Sequence, residues 1–161
     1  MTAKLAGAAL IVAGAVWCCA ARRRRQRQRL TLAQALAQAL SAMETGIRWQ
    51  RRPMPQLLAQ LAQRPVCGLY FDAMWEMLQS NIPLQTVWNR AFSRIPDAET
   101  AEVLRRMELG GDETRLLTQL EDARQALTAL AARWAREDAQ DRRVAGALAL
   151  SAAGLLVILL I

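Results

Sequence analysis

The chain has 161 residues, a formal net charge of +7, 53% hydrophobic residues and no histidine. The missing histidine removes the commonest general base and the commonest metal ligand, and the three cysteines show neither metal-ligand spacing nor a disulfide framework. Six of the seven excess charges fall in residues 22–29, leaving +1 for everything else, so the basic balance is a local run and not a broad binding face.

Residues 5–21 (LAGAALIVAGAVWCCAA) form a charge-free run of 17 residues that stops at Arg22. At about 1.5 Å of rise per residue, roughly 17–25 apolar residues span a hydrocarbon core about 30 Å thick, so this run is predicted to be an N-terminal transmembrane helix. Lys4 alone makes a thin basic leader, and four arginines directly after Cys19-Ala20-Ala21 fit an uncleaved anchor better than a signal peptide. Residues 22–29 then form a basic juxtamembrane segment. Its Arg22, Arg23, Arg24, Arg25, Arg27 and Arg29 are expected to contact the membrane surface. No aromatic residue interleaves the run to stack bases, so nucleic acid is not an expected partner.

Residues 30–143 read as helix throughout. Leu32, Leu36, Leu40, Met43 and Ile47 recur at steps of four, four, three and four, a stripe facing a core. Pro53 and Pro55 interrupt that pattern, and Pro55 suits the first turn of a second helix reaching Gln63, with Leu57, Leu58 and Leu61 inward. Pro65 and Gly68 mark the next corner. A third helix follows, with Leu69, Phe71 or Ala73, Trp75 and Leu78 as its expected inner face, until Asn81 and Pro83 close it.

A fourth helix is predicted over residues 84–92, burying Val87, Trp88 and Phe92. Asp97 is the expected cap of a fifth, with Glu99 and Glu102 near its positive end and Val103, Leu104 and Met107 buried. Leu109-Gly110-Gly111-Asp112 reads as a helix stop and a fresh cap. From 112 to 143 no Pro or Gly intervenes, and Leu116, Leu120, Ala123, Leu127, Leu130 and Trp134 form a heptad seam along a helix of about 48 Å. That seam is expected to be the spine of an intrachain bundle. Without a breaker at Arg143-Val144, the sixth helix can pass directly into residues 144–161 (VAGALALSAAGLLVILLI), an 18-residue charge-free run predicted as a C-terminal transmembrane helix.

The fold expected is therefore all-α, a six-helix cytoplasmic bundle between two transmembrane helices. Both runs meet the central domain through arginine, at 22–29 and at Arg142-Arg143, and the positive-inside rule places that domain in the cytoplasm. Catalytic signatures are missing: there is no G-x-x-x-x-G-K-[ST], G-x-S-x-G or H-E-x-x-H. Adjacent carboxylates such as Asp112-Glu113 and Glu137-Asp138 diverge by about 100° on a helix and share no site. Neither an enzyme nor a cofactor is expected. Cys18, Cys19 and Cys67 read as small apolar fillers of a protein in a reducing compartment.

Several landmarks carry a family resemblance. Leu40, Glu44 and Ile47 match an L-x-x-x-E-x-x-I helix end, Pro53-Met54-Pro55-Gln56-Leu57-Leu58 a P-L-P-x-x-L segment, and Trp88 a tryptophan in the fourth helix. Leu109-Gly110 precedes an aspartate, and Gly154 opens a closing Leu/Val/Ile run. Over essentially its whole length the sequence resembles stage III sporulation protein AB of endospore-forming bacteria. It departs in having one residue, Gly111, between Gly110 and Asp112 where the family pattern has two, and Leu116 near a family glutamine.

The family is similar to the inner-membrane platform protein of type II secretion systems and type IV pili. The resemblance implies a platform component of the channel between mother cell and forespore, held in the mother-cell-side forespore membrane. It implies as partners the ATPase stage III sporulation protein AA and the other stage III sporulation channel proteins, with the lipid bilayer around it and a second copy of the chain as a further candidate. The competing reading is a general membrane-anchored coiled-coil adaptor or scaffold, in which isolated residues 112–143 would self-associate.

Overall fold

The computed structural model describes the backbone of residues 2–80 and 82–160 and the side chains of residues 14, 16–80, 82–146 and 151. Among the described residues there are six helices: α1 (Thr2–Arg48), α2 (Met54–Ala62), α3 (Gly68–Leu78), α4 (Leu84–Phe92), α5 (Ala98–Arg105) and α6 (Glu113–Leu160). The prolines and caps set the short ones. Pro53 and Pro55 start α2, and Pro83 starts α4 in an extended conformation that ends the preceding segment. The Asp97 side chain accepts from Thr100 N at the head of α5, and Asp112 Oδ1 accepts from Arg115 N at 3.2 Å at the head of α6. Gly111 has φ +115°, which its lack of a Cβ permits, and this lets the chain reverse between α5 and α6.

Where sequence reading separates an anchor, a basic segment and a first bundle helix, the structure has one unbroken helix of 47 residues. No Pro or Gly lies between Gly14 and Gly46, and the arginines, glutamines, alanines and leucines there are strong helix formers. A change of charge is therefore not a change of backbone. At the other end, α6 likewise continues through Arg143-Val144 for 48 residues in all. Among the described residues no helix is long and apolar enough to cross a membrane. The runs expected to do so, 5–21 and 144–161, lie for the most part outside the residues whose side chains are described.

Each helix packs on the next in sequence, and α6 closes the ring by lying along α1. Leu36, Leu40 and Met43 of α1 share one core with Leu120, Ala123 and Leu127 of α6, so the heptad seam is filled from within the chain. The two helices run antiparallel: Arg29 and Leu30 line the same cavity as Arg133, Trp134 and Glu137, while Glu44 approaches Arg124 further along. The four short helices cover the other side of this pair.

The aromatic centre comes from α3 and α4. Trp88 is fully buried, its ring set edge-on to Phe92 with centroids 4.6 Å apart, and Phe71 meets Phe92 edge-on at 5.9 Å. Trp88 Nε1 donates to the carbonyl of Leu104 at 2.8 Å, tying α4 to α5. On α3 the expected inner face is rotated: Phe71 and Met74 are buried, Trp75 is half-buried and Leu69 is 77% exposed. Leu104 of α5 and Met107 just beyond it are buried as expected, and Val103 is half-buried.

Candidate functional site

The basic run of α1 emerges from the bundle beside the α2–α3 and α4–α5 corners. Arg29, the last of its six arginines, places Nε 3.3 Å from Asp97 Oδ1. Asp97 is almost wholly buried, and its other oxygen accepts from the backbone N–H and the hydroxyl of Thr100, at 2.9 and 2.8 Å. Arg29 is thus part of the fold as well as of the basic surface. Among the described residues, no ion pair engages Arg22, Arg23, Arg24, Arg25 or Arg27. All five are exposed.

Two cavities flank this stretch of α1. One, of about 650 Å³, is lined by Arg25, Arg27, Arg29 and Leu32 of α1 and by Val66, Tyr70, Pro96 and Asp97 opposite. The second, of about 370 Å³, lies between α1 and α6, where Arg27 and Arg29 face Glu99, Arg133, Trp134, Glu137 and Asp138. Its acidic groups are matched locally: Arg133 pairs with Glu99 and Glu137, and Arg142 with Asp138. Burial pushes the Tyr70 phenol up from its ordinary range, and the Cys67 thiol likewise despite the opposing influence of Arg64.

The opposite end of the bundle is built differently. Trp49, just past the end of α1, is 77% exposed, with Arg51 (φ +46°) and Arg52 beside it. Gln85 of α4 fixes the α5–α6 loop from both sides: its Nε2 donates to Met107 O at 2.9 Å and its Oε1 accepts from Leu109 N at 2.7 Å. Arg115 Nη2 adds a 2.8 Å bond to Glu108. Sequence reading missed Gln85, because a half-buried glutamine on an amphipathic helix carries no signal for a partner more than twenty residues away. Among the described residues no cluster of His, Cys, Asp and Glu could hold a metal ion.

These features define an all-α class of protein, a six-helix bundle whose first and last helices, of 47 and 48 residues, outgrow the other four and run on from the same end. The sequence profile of the family described as Stage III sporulation protein AB (spore_III_AB) matches residues 4–161. The chain belongs to that family of sporulation proteins. A solved structure entitled "Stage III sporulation protein AB (SpoIIIAB)" shares the fold with a TM-score of 0.63 at 19% identity, over 70% of this chain and 98% of that one. A comparison with curated proteins finds no match.

Proposed function

We propose that the chain is a membrane platform component of the sporulation channel between mother cell and forespore, presenting its helical domain to the ATPase stage III sporulation protein AA. The supporting observation is the antiparallel pairing of α1 and α6, two unbroken helices that both continue into apolar sequence at one end of the bundle. Two anchors leaving together hold the domain against one membrane face and free its far end for a soluble partner. Trp17, exposed and five residues before Arg22, is the residue type that sits at a membrane interface. The arginines on the bundle side support, by the positive-inside rule, a domain held in the cytoplasm, where an ATPase works.

The free end supplies a contact surface of suitable chemistry. Exposed Trp49 with Arg51 and Arg52 has the aromatic and arginine composition enriched in interface hot spots. The scaffold alternative is weaker because Leu120, Ala123 and Leu127 of the seam already pack on α1. The test is capture of the ATPase by the detergent-solubilised full chain. Trp49→Ser should reduce capture at least about tenfold without changing thermal unfolding. Capture that is absent from the unaltered chain would remove the platform reading.

A further inference from the structure

The larger cavity beside α1 has two kinds of wall. Arg25, Arg27 and Arg29 line one side together with Leu32 of the same helix, while Val66, Tyr70 and Pro96 supply an apolar and aromatic opposite side. Asp97, the one carboxylate in the lining, is already engaged: one oxygen faces Arg29 and the other holds the start of α5. Arg25 and Arg27 also line the cavity and form no ion pair among the described residues, Arg27 standing between this cavity and the second one. A guanidinium without an ion-pair partner binds phosphate oxygens through charge-assisted hydrogen bonds.

The apolar wall is also maintained against a cost. Val66 is 53% exposed and held at φ +73°, a conformation unfavourable for a β-branched residue. Location narrows the ligand further. Arg25 lies four residues beyond Ala21, where the apolar run ends, so it sits about 6 Å along the helix from that border. A phosphate that carries glycerol carbon would satisfy both walls at that depth.

We infer that this cavity binds the phosphate-bearing headgroup of an anionic membrane lipid, with Arg25 and Arg27 on the phosphate and Val66, Tyr70 and Leu32 against its apolar portion. The inference rests on the reading of residues 5–21 and 144–161 as membrane anchors. It goes further in assigning a shaped site, distinct from the diffuse attraction of a basic run to an anionic surface.

Native mass spectrometry of the full chain in detergent tests it, with phosphatidylglycerol, phosphatidylcholine and inorganic phosphate as probes. Phosphatidylglycerol should be retained at least about tenfold more than phosphatidylcholine, and Arg25→Gln with Arg27→Gln should abolish that preference. Arg22→Gln with Arg23→Gln removes equal charge outside the cavity and should preserve it. Equal loss in both double variants would reduce the effect to net charge and overturn the site. Displacement of the lipid by inorganic phosphate at comparable concentration would assign the pocket to a soluble anion and overturn the lipid. A chain that stays monodisperse without detergent would instead refute the anchoring reading, which separates the two failures.

Discussion

Arg29 and Asp97 are 68 residues apart in sequence, yet Arg29 Nε stands 3.3 Å from Asp97 Oδ1. The pair connects the stretch of α1 leaving the bundle to the first turn of α5. Asp97 is buried and Arg29 half-exposed, so the carboxylate depends on Thr100 for hydrogen bonding and on Arg29 for charge balance. Removing the carboxylate loses the cap as well as the pair.

Asp97→Ala is accordingly expected to lower stability by roughly 1–2 kcal/mol through the cap, with a fall of several degrees in thermal unfolding followed by circular dichroism. Asp97→Asn retains an acceptor for Thr100 and should cost less. Arg29→Gln should cost under about 1 kcal/mol, because solvent screens the exposed partner. An Asp97→Ala protein that melts with the unaltered chain would show that neither contact contributes.

Trp88 joins α4 to α5 and fills the centre of the aromatic cluster. Trp88→Ala should cost about 3–5 kcal/mol. Trp88→Phe keeps an aromatic ring near Phe92 but loses the bond to Leu104 O, and should cost about 1–2 kcal/mol. Chemical denaturation read by far-UV ellipticity distinguishes these. Unchanged stability together with lost partner capture would make Trp88 an interface residue.

Two glycines offer a contrast in what stands in the way of a Cβ. At Gly68 an added carbon would lie 2.3 Å from the backbone carbonyl oxygen of Ala62, whereas at Gly46 it would lie 2.3 Å from Leu57 Cδ2, the end of a side chain that can turn. Gly68→Ala is expected to cost about 1–3 kcal/mol. Gly46→Ala should cost less, since Leu57 can shift and the helix gains propensity of about 1 kcal/mol. Equal melting temperatures for the two variants would mean that the α2–α3 corner has slack.

The continuity of α6 through Val144 predicts mechanical coupling. Val144→Pro disrupts a helix by roughly 3 kcal/mol or more, at an exposed position outside the core. Thermal unfolding of the bundle and capture of the ATPase should both survive this change. Sporulation should fail, because the rigid connection is what the proline removes. Normal sporulation by the proline variant would reduce residues 144–161 to a tether.

The sequence by itself determined the helical elements and most of the core. Prolines at 53, 55, 65, 83 and 96, the caps Asp97 and Asp112, and glycine at 111 place the short helices within a residue or two of where they stand, because each acts through local backbone chemistry. The long stripes on α1 and α6 were equally legible, since one face of each is apolar and the other polar. The helix α3 was not. Its sequence GLYFDAMWEML is apolar on nearly every side, so periodicity selects no face, and packing by α2 and α4 turns Phe71 and Met74 inward and leaves Leu69 out. Tertiary structure alone decided the partners of the polar groups: Arg29 with Asp97, Glu99 with Arg133, and Gln85 with the loop before α6. A charged or amide side chain on an amphipathic helix looks the same in sequence whether it meets water or a residue far along the chain, and only the packing of α1, α4, α5 and α6 on one another brings those residues together.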